Sequence, residues 1–150
     1  MITAAQLIIE SRRLIGVKFL HQGRSVAGGV DCLGLGLVAA KHAGLDVMAM
    51  VAASDPRSYG REPSPVMLAQ ASQHFRRLQA LRPGALLMFK LPRARFPHHL
   101  AIYTDTGTMI HAEAVRAHAV VEQTYGRPWS RFLHSMWALP GVSYPEDVTP

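Results

Sequence analysis

The spacing of apolar residues changes period at Pro83-Gly84, and this switch constrains the fold more than any other feature of the chain. Upstream, apolar residues recur at helical spacing. Downstream, short apolar runs separated by turn residues read as strands. Helices followed by antiparallel strands predict an α+β domain. The 150 residues amount to about one domain, enough to bury a core without staples. With no internal repeat, low-complexity tract or domain boundary, residues 1–141 are expected to fold as a single domain. Residues 142–150 read as a C-terminal tail, poorly ordered from Ser143 onward.

A first helix is predicted over residues 3–15, where Ala4, Leu7, Ile8, Leu14 and Ile15 share helical spacing and Thr3 is the cap. Residues 16–30, with Gly23, Gly28 and Gly29, read as a loop. A second helix is predicted from Asp31 or Cys32 to Gly44. Leu33, Leu35, Leu37, Val38, Ala39 and Ala40 make it apolar nearly all round, so it is central and buried. Gly34 and Gly36 each cost this helix about 1 kcal/mol against alanine, which implies a close packing partner against the backbone there. After a connection over 45–63, Ser64-Pro65 reads as an N-cap followed by proline at the first helical position. Met67, Leu68, Ala71, Phe75 and Leu78 form the buried stripe of this third helix. Strands are predicted over 85–89, 99–104, 108–114, 117–123 and within 133–139. A basic turn falls at 92–97, and the region of Trp129 and Trp137 is expected to pack the sheet edge.

Hydrophobic residues at 49% and charged residues at 17% give a globular balance. No apolar run approaches the roughly 20 residues of a membrane helix. Residues 2–9 are short, lack a preceding basic region and run into Glu10, Arg12 and Arg13, unlike a secretory signal. Synthesis in the cytoplasm is therefore expected, with no membrane insertion. The net charge of +6 and pI of about 10.1 suit an anionic partner. No basic helix with interleaved aromatics and no zinc-finger spacing points to nucleic acid. Without H-E-x-x-H, paired cysteines or H-x-H, no metal site is expected.

Cys32 is the single cysteine, so no internal disulfide can form. Its place at a helix N-terminus favours an anion and shifts a thiol toward thiolate. The charge of Asp31, which can cap the helix, works against that, so a cationic neighbour is required, and a histidine brought close by the sheet would serve. His99 opens a strand and shares a face with Ala101 and Tyr103. A three-residue loop ending in Gly107 pairs Leu100 with Ala112 and Ala101 with His111. The two histidines then lie diagonally on one face, about 7–8 Å apart at the backbone. A loop centred on Asp105 would set them directly opposite. Two histidines on one face fit a base and the group that orients it: His99 takes the Cys32 proton and His111 holds the His99 ring. His98 is expected on the other face and not to be catalytic. His42, His74, His118 and His134 read as surface or core residues.

The string Val30-Asp31-Cys32-Leu33-Gly34-Leu35 resembles the D-C-x-G-L motif of the NlpC-type cell-wall peptidases. His99-Leu100-Ala101-Ile102-Tyr103 resembles the strand that carries their catalytic histidine. Met109-Ile110-His111-Ala112 resembles the strand of their third catalytic residue, and Pro83-Gly84-Ala85-Leu86-Leu87 the strand before the histidine. Order and spacing fit from about residue 3 to Gly141. His21-Gln22-Gly23-Arg24 and Leu33 are similar to the phage and gene-transfer-agent branch. The resemblance implies a papain-like fold and cleavage of peptidoglycan stem peptides by Cys32, His99 and His111. It also implies no cofactor, tail-tip partners, and a location in the virion tail tip with action in the bacterial cell wall.

The resemblance places substrate-binding residues at Phe19, His21, Gln22 and Asp31. Many members have Tyr where this chain has Phe19, and Ser where it has Leu33. The lost hydroxyl at Phe19 bears on substrate preference, with His21 or Gln22 as a substitute donor. The oxyanion hole is expected to include the Cys32 N–H. A structural tail protein, and an acyl transferase or amidase on the same scaffold, are the competing readings.

Overall fold

The computed structural model describes residues 1–50 and 60–145. Strand β1 (Ile2–Thr3) leads into helix α1 (Ala4–Arg13), followed by the short pair β2 (Arg24–Ser25) and β3 (Gly29–Val30) and helix α2 (Cys32–His42). Helices α3 (Val47–Met50) and α4 (Val66–His74) come next, then β4 (Arg76–Leu78), β5 (Leu86–Phe89), β6 (His99–Tyr103), β7 (Thr108–Glu113) and β8 (Ala119–Thr124). Helix α5 (Trp129–Phe132), β9 (Leu133–Ala138) and β10 (Val142–Ser143) are the last elements among the described residues. The main sheet has six strands in the order β4-β9-β5-β6-β7-β8, all pairs antiparallel. This is the expected α+β architecture, with α2 packed on β6 and β7 and α1 packed on α2.

Local chemistry sets the ends of the helices. Thr3 Oγ1 accepts the Gln6 N–H at 3.1 Å, and Gln6 Oε1 accepts the Thr3 N–H at 2.8 Å, a reciprocal cap. Helix α2 starts one residue after Asp31, whose Oδ1 accepts the Gly34 N–H at 2.8 Å. Its residues from Gly34 to Ala40 are buried, as an all-round apolar helix requires. The two helix glycines differ. A Cβ at Gly34 would collide with the carbonyl oxygen of Gly23, whereas one at Gly36 would meet nothing within 4 Å. The close packing partner is therefore the 20–29 loop, and it touches Gly34 alone.

The β6–β7 hairpin keeps the expected register. Ile102 faces Ile110 and Tyr103 faces Met109, the same ladder that aligns Ala101 with His111. The Thr104 N–H donates to the Thr108 carbonyl at 2.9 Å, and Gly107 has φ +75°, a conformation glycine adopts at no steric cost.

Three expectations need correction. The third helix stops at His74, because Phe75 is extended and Arg76–Leu78 joins β9 as an edge strand. Ladder hydrogen bonds and the burial of Leu78 override its helical spacing from Met67, and Pro65 rather than Ser64 occupies the N-cap. The chain end is also not loose at Ser143. Strand β10 runs parallel to β1, and the buried Tyr144 donates its hydroxyl to the Gly84 carbonyl at 3.1 Å. Residues 51–59 of the expected connection and 146–150 of the tail lie outside the described residues. Trp137 is buried within β9, between β4 and β5, not at an edge.

Candidate active site

The start of α2, the start of β6, the middle of β7 and the end of β8 converge on one cleft of about 900 Å³. Cys32, His99, His111 and Gln123 all line it. Each is positioned by a different element. Cys32 is the first residue of α2, held there by the Asp31 cap. His99 is the first residue of β6, and His111 sits in β7 with no exposed surface.

The histidines form a relay with a defined direction. His111 Nε2 lies 2.8 Å from Gln123 Oε1, and His111 Nδ1 lies 2.8 Å from His99 Nε2. An amide oxygen only accepts, so His111 carries its proton on Nε2. A neutral His111 then accepts at Nδ1, and His99 must donate from Nε2. This leaves His99 Nδ1 without a proton and able to accept one. No local sequence pattern marks Gln123. Its signal is the pairing of β7 with β8, which sets it two residues beyond Val121, the partner of His111.

Trp129 departs from its expected place at the sheet edge. Its ring lies 5.3 Å from the His99 ring, 5.2 Å from His111 and 5.1 Å from Phe89, centroid to centroid. It closes over the relay rather than packing a sheet edge, because the 126–130 segment turns back through a Ser130 N–H to Gly126 carbonyl bond. The pairing of Phe89 with His99 in the β5–β6 ladder completes the apolar wall.

Burial governs the protonation states. Burial, and then the Asp31 charge, push the Cys32 thiol up to about 12, against opposing pulls from the Leu100 and Leu33 N–H groups and from Arg24. Burial, then the neighbouring His111 and His98, push His99 down to about 3. The expected shift of Cys32 toward thiolate is thus reversed: desolvation outweighs the helix start. The pair rests as a thiol and a neutral imidazole.

Asp31 is fully engaged. Its Oδ1 accepts from Gly34 N–H and from Arg24 Nη1 at 2.9 Å, and its Oδ2 from the Gln22 N–H at 2.9 Å. The cation at this helix start is Arg24 rather than a histidine, and it is held in a largely buried ion pair with Asp31. Asp31 acts as a cap at the cleft floor. Phe19 and His21 line the cleft, but Gln22 is not among its lining residues, since φ of 59° turns its main chain toward Asp31. His98 does line the cleft. It precedes β6, so strand alternation does not apply to it, and its carbonyl lies 4.0 Å from Cys32 Sγ. Among the described residues, no group of three His, Cys, Asp or Glu is placed to hold a metal.

A cysteine at the start of a buried helix, packed on an antiparallel sheet that presents a histidine relay, is the architecture of the papain-like cysteine peptidases. The NlpC/P60 family model matches residues 16–138, and the chain belongs to that family. No curated protein sequence matches it significantly. An NlpC/P60 family protein from Bacillus cereus has a similar structure, with TM-score 0.63 and 21% identity over 91% of this chain and 40% of that one. The NlpC/p60 domain of the peptidoglycan hydrolase SagA gives TM-score 0.58 and 19% identity over 91% of this chain and 99% of that domain. The peptidoglycan hydrolase RipB from Mycobacterium tuberculosis gives 0.57 and 17% over 91% of this chain and 64% of that one. The chain thus spans about two fifths of the Bacillus cereus protein and the whole SagA domain.

Proposed function

We propose that this protein is a cysteine endopeptidase that hydrolyses the peptide stems of bacterial peptidoglycan. The observation that carries the reading is the directed relay Gln123–His111–His99 sharing a cleft with Cys32 at a helix start. Its NlpC/P60 family membership and the two peptidoglycan hydrolases of like fold support the substrate class.

The chemistry follows from the resting states. Cys32 Sγ attacks the scissile carbonyl carbon while its proton passes to His99 Nδ1. The imidazolium is held by His111 and returns that proton to the departing amine, leaving a thioester. Water then enters, His99 takes its proton, and the acid product leaves as the thiol reforms. Trp129 in the cleft wall, backed by the buried Phe89, shields the His99 ring from bulk water.

The finer setting is a phage tail tip, where the enzyme opens the wall during genome delivery. Its support is the likeness of His21-Gln22-Gly23-Arg24 and Leu33 to the tail branch of the family. In this fold that string supplies the Arg24 and Gln22 contacts to Asp31.

The test is to incubate the purified protein, and separately Cys32→Ala, with peptidoglycan and to identify released fragments by mass spectrometry. Cysteine-dependent release of stem-peptide fragments is expected. No release from a folded protein with a free thiol would transfer the reading to a structural tail component. Release only on adding an amine or alcohol acceptor would mark a transferase.

A further inference from the structure

Charge is segregated along this chain. No Asp or Glu occurs between Glu62 and Asp105, or between Glu122 and Glu146. Those two stretches supply β4, β5, β6 and β9 entire. The strands β4, β9 and β5 are neighbours at one side of the sheet, so the acid-free segments fold onto the same side. There Arg77, Lys90, Arg93, Arg95, Arg131 and His134 are exposed. The five arginine and lysine residues of this group make no ion pair among the described residues. Partial burial, and then the nearby charges of Arg77 and Lys90, disfavour the charged form of His134. The Lys90 N–H donates to the Phe132 carbonyl at 2.9 Å, which brings Lys90 beside Arg131.

The basic side is continuous with the cleft. Leu91, Pro92, Pro128 and Phe132 line the cleft wall, and the turn that carries Arg93 and Arg95 leaves directly from Leu91 and Pro92. A polymer whose peptide enters the cleft therefore meets this side as it leaves. We infer that the side built by β4, β9 and β5 is a docking surface for the peptidoglycan polymer, held through the free carboxylates of its uncleaved stem peptides. The inference rests on the proposed function, since the cleft is read as the stem-peptide site. Several cations that make no ion pair among the described residues, facing a polyanion, raise its local concentration, an effect that salt screens within about 10 Å at 0.1 M. Nucleic acid is the competing polyanion. The absence of a basic helix and the continuity with a peptidase cleft both favour the wall polymer.

The experiment is co-sedimentation of the Cys32→Ala protein with purified peptidoglycan sacculi stripped of accessory wall polymers, so that the polymer stays intact. Binding is expected at low salt. It should weaken by about tenfold or more in the added variant Lys90→Glu/Arg93→Glu/Arg95→Glu, and similarly on sacculi whose carboxylates have been amidated. Arg77→Glu alone, expected to weaken binding a few-fold, serves if the triple variant does not fold. In the background with Cys32 intact, the triple variant should cleave a soluble stem-peptide fragment as fast as the parent. Undiminished sedimentation of the charge-reversal variants, undiminished binding to amidated sacculi, or full displacement by double-stranded DNA would each overturn the inference. An equal loss on the soluble fragment would also overturn it, because the charges would then act in the cleft. Sedimentation reads the surface whether or not the parent cleaves, so failure of the peptidase reading is seen separately.

Discussion

His99 Nε2 and His111 Nδ1 sit 2.8 Å apart with their rings nearly perpendicular, at 83°. Because His111 is itself held through its far nitrogen by Gln123, the pair has one productive tautomer. Replacing His111 with Ala removes both the orientation of His99 and the support for its imidazolium. A loss of about 10²–10⁴-fold in kcat is expected, with KM little changed. Single-turnover kinetics on a soluble stem peptide checks the split.

Gln123 acts through His111 and is a positioning residue. Gln123→Leu keeps the volume but frees the His111 tautomer, and should lower kcat about tenfold without a comparable effect on KM. Gln123→Glu restores an acceptor and should recover most of the rate. Nitrogen-15 NMR of the His111 ring distinguishes this from simple loosening. The Nε2-protonated form should dominate in the parent and Gln123→Glu, and a mixture should be seen in Gln123→Leu.

Stability should fall on both sides of neutrality. His99 lies at about 3 in the fold, below its ordinary 6.5. As pH drops below 6.5 the unfolded chain takes up a proton that the fold refuses, so stability is lost progressively from 6.5 downward. Cys32 behaves in the opposite sense, raised from 9.0 to about 12. Above pH 9.0 the unfolded chain releases a proton that the fold retains, so stability is lost as pH rises toward 12. Thermal melts across pH check both limbs. Cys32→Ala should flatten the alkaline limb and leave the acid limb in place.

The two glycines of α2 should respond with opposite signs. Gly34→Ala drives a methyl group into the Gly23 main-chain carbonyl and should destabilise by about 1–3 kcal/mol. Gly36→Ala has open space and should stabilise by up to about 1 kcal/mol. Urea denaturation of the two variants measures both.

Removing Arg24 strands the Asp31 carboxylate in a buried site. Arg24→Met should cost about 3–5 kcal/mol, and it should also make the thiol harder to ionise. Alkylation of Cys32 across pH reads the second effect, through a reactivity profile displaced to higher pH.

Much of this molecule is legible from local patterns. Thr3 and Asp31 announce their helices because capping is settled within a few residues of the chain. The apolar surround of residues 33–40 demands burial wherever the helix goes. The turn chemistry of Asp105-Thr106-Gly107 sets the β6–β7 register, and strand parity then puts His99 and His111 on one face. Arg76–Leu78 fails the same kind of reading, since its helical spacing loses to a ladder with a strand about sixty residues away in sequence.

The sequence by itself determined the α+β order, the helix-start cysteine and the paired histidines, because period, caps and turns act over a few residues. Only the tertiary structure decided what surrounds them. The pairing of β7 with β8 delivers Gln123 to His111, and the fold-back at residues 126–130 lays Trp129 over both histidines. The 20–29 loop brings Arg24 to Asp31. Burial of Cys32 and His99 reverses the ionisation that a helix start alone favours, and Arg24 offsets only part of it at the thiol. Desolvation depends on everything packed around a group, from all parts of the chain at once, and no local pattern encodes it.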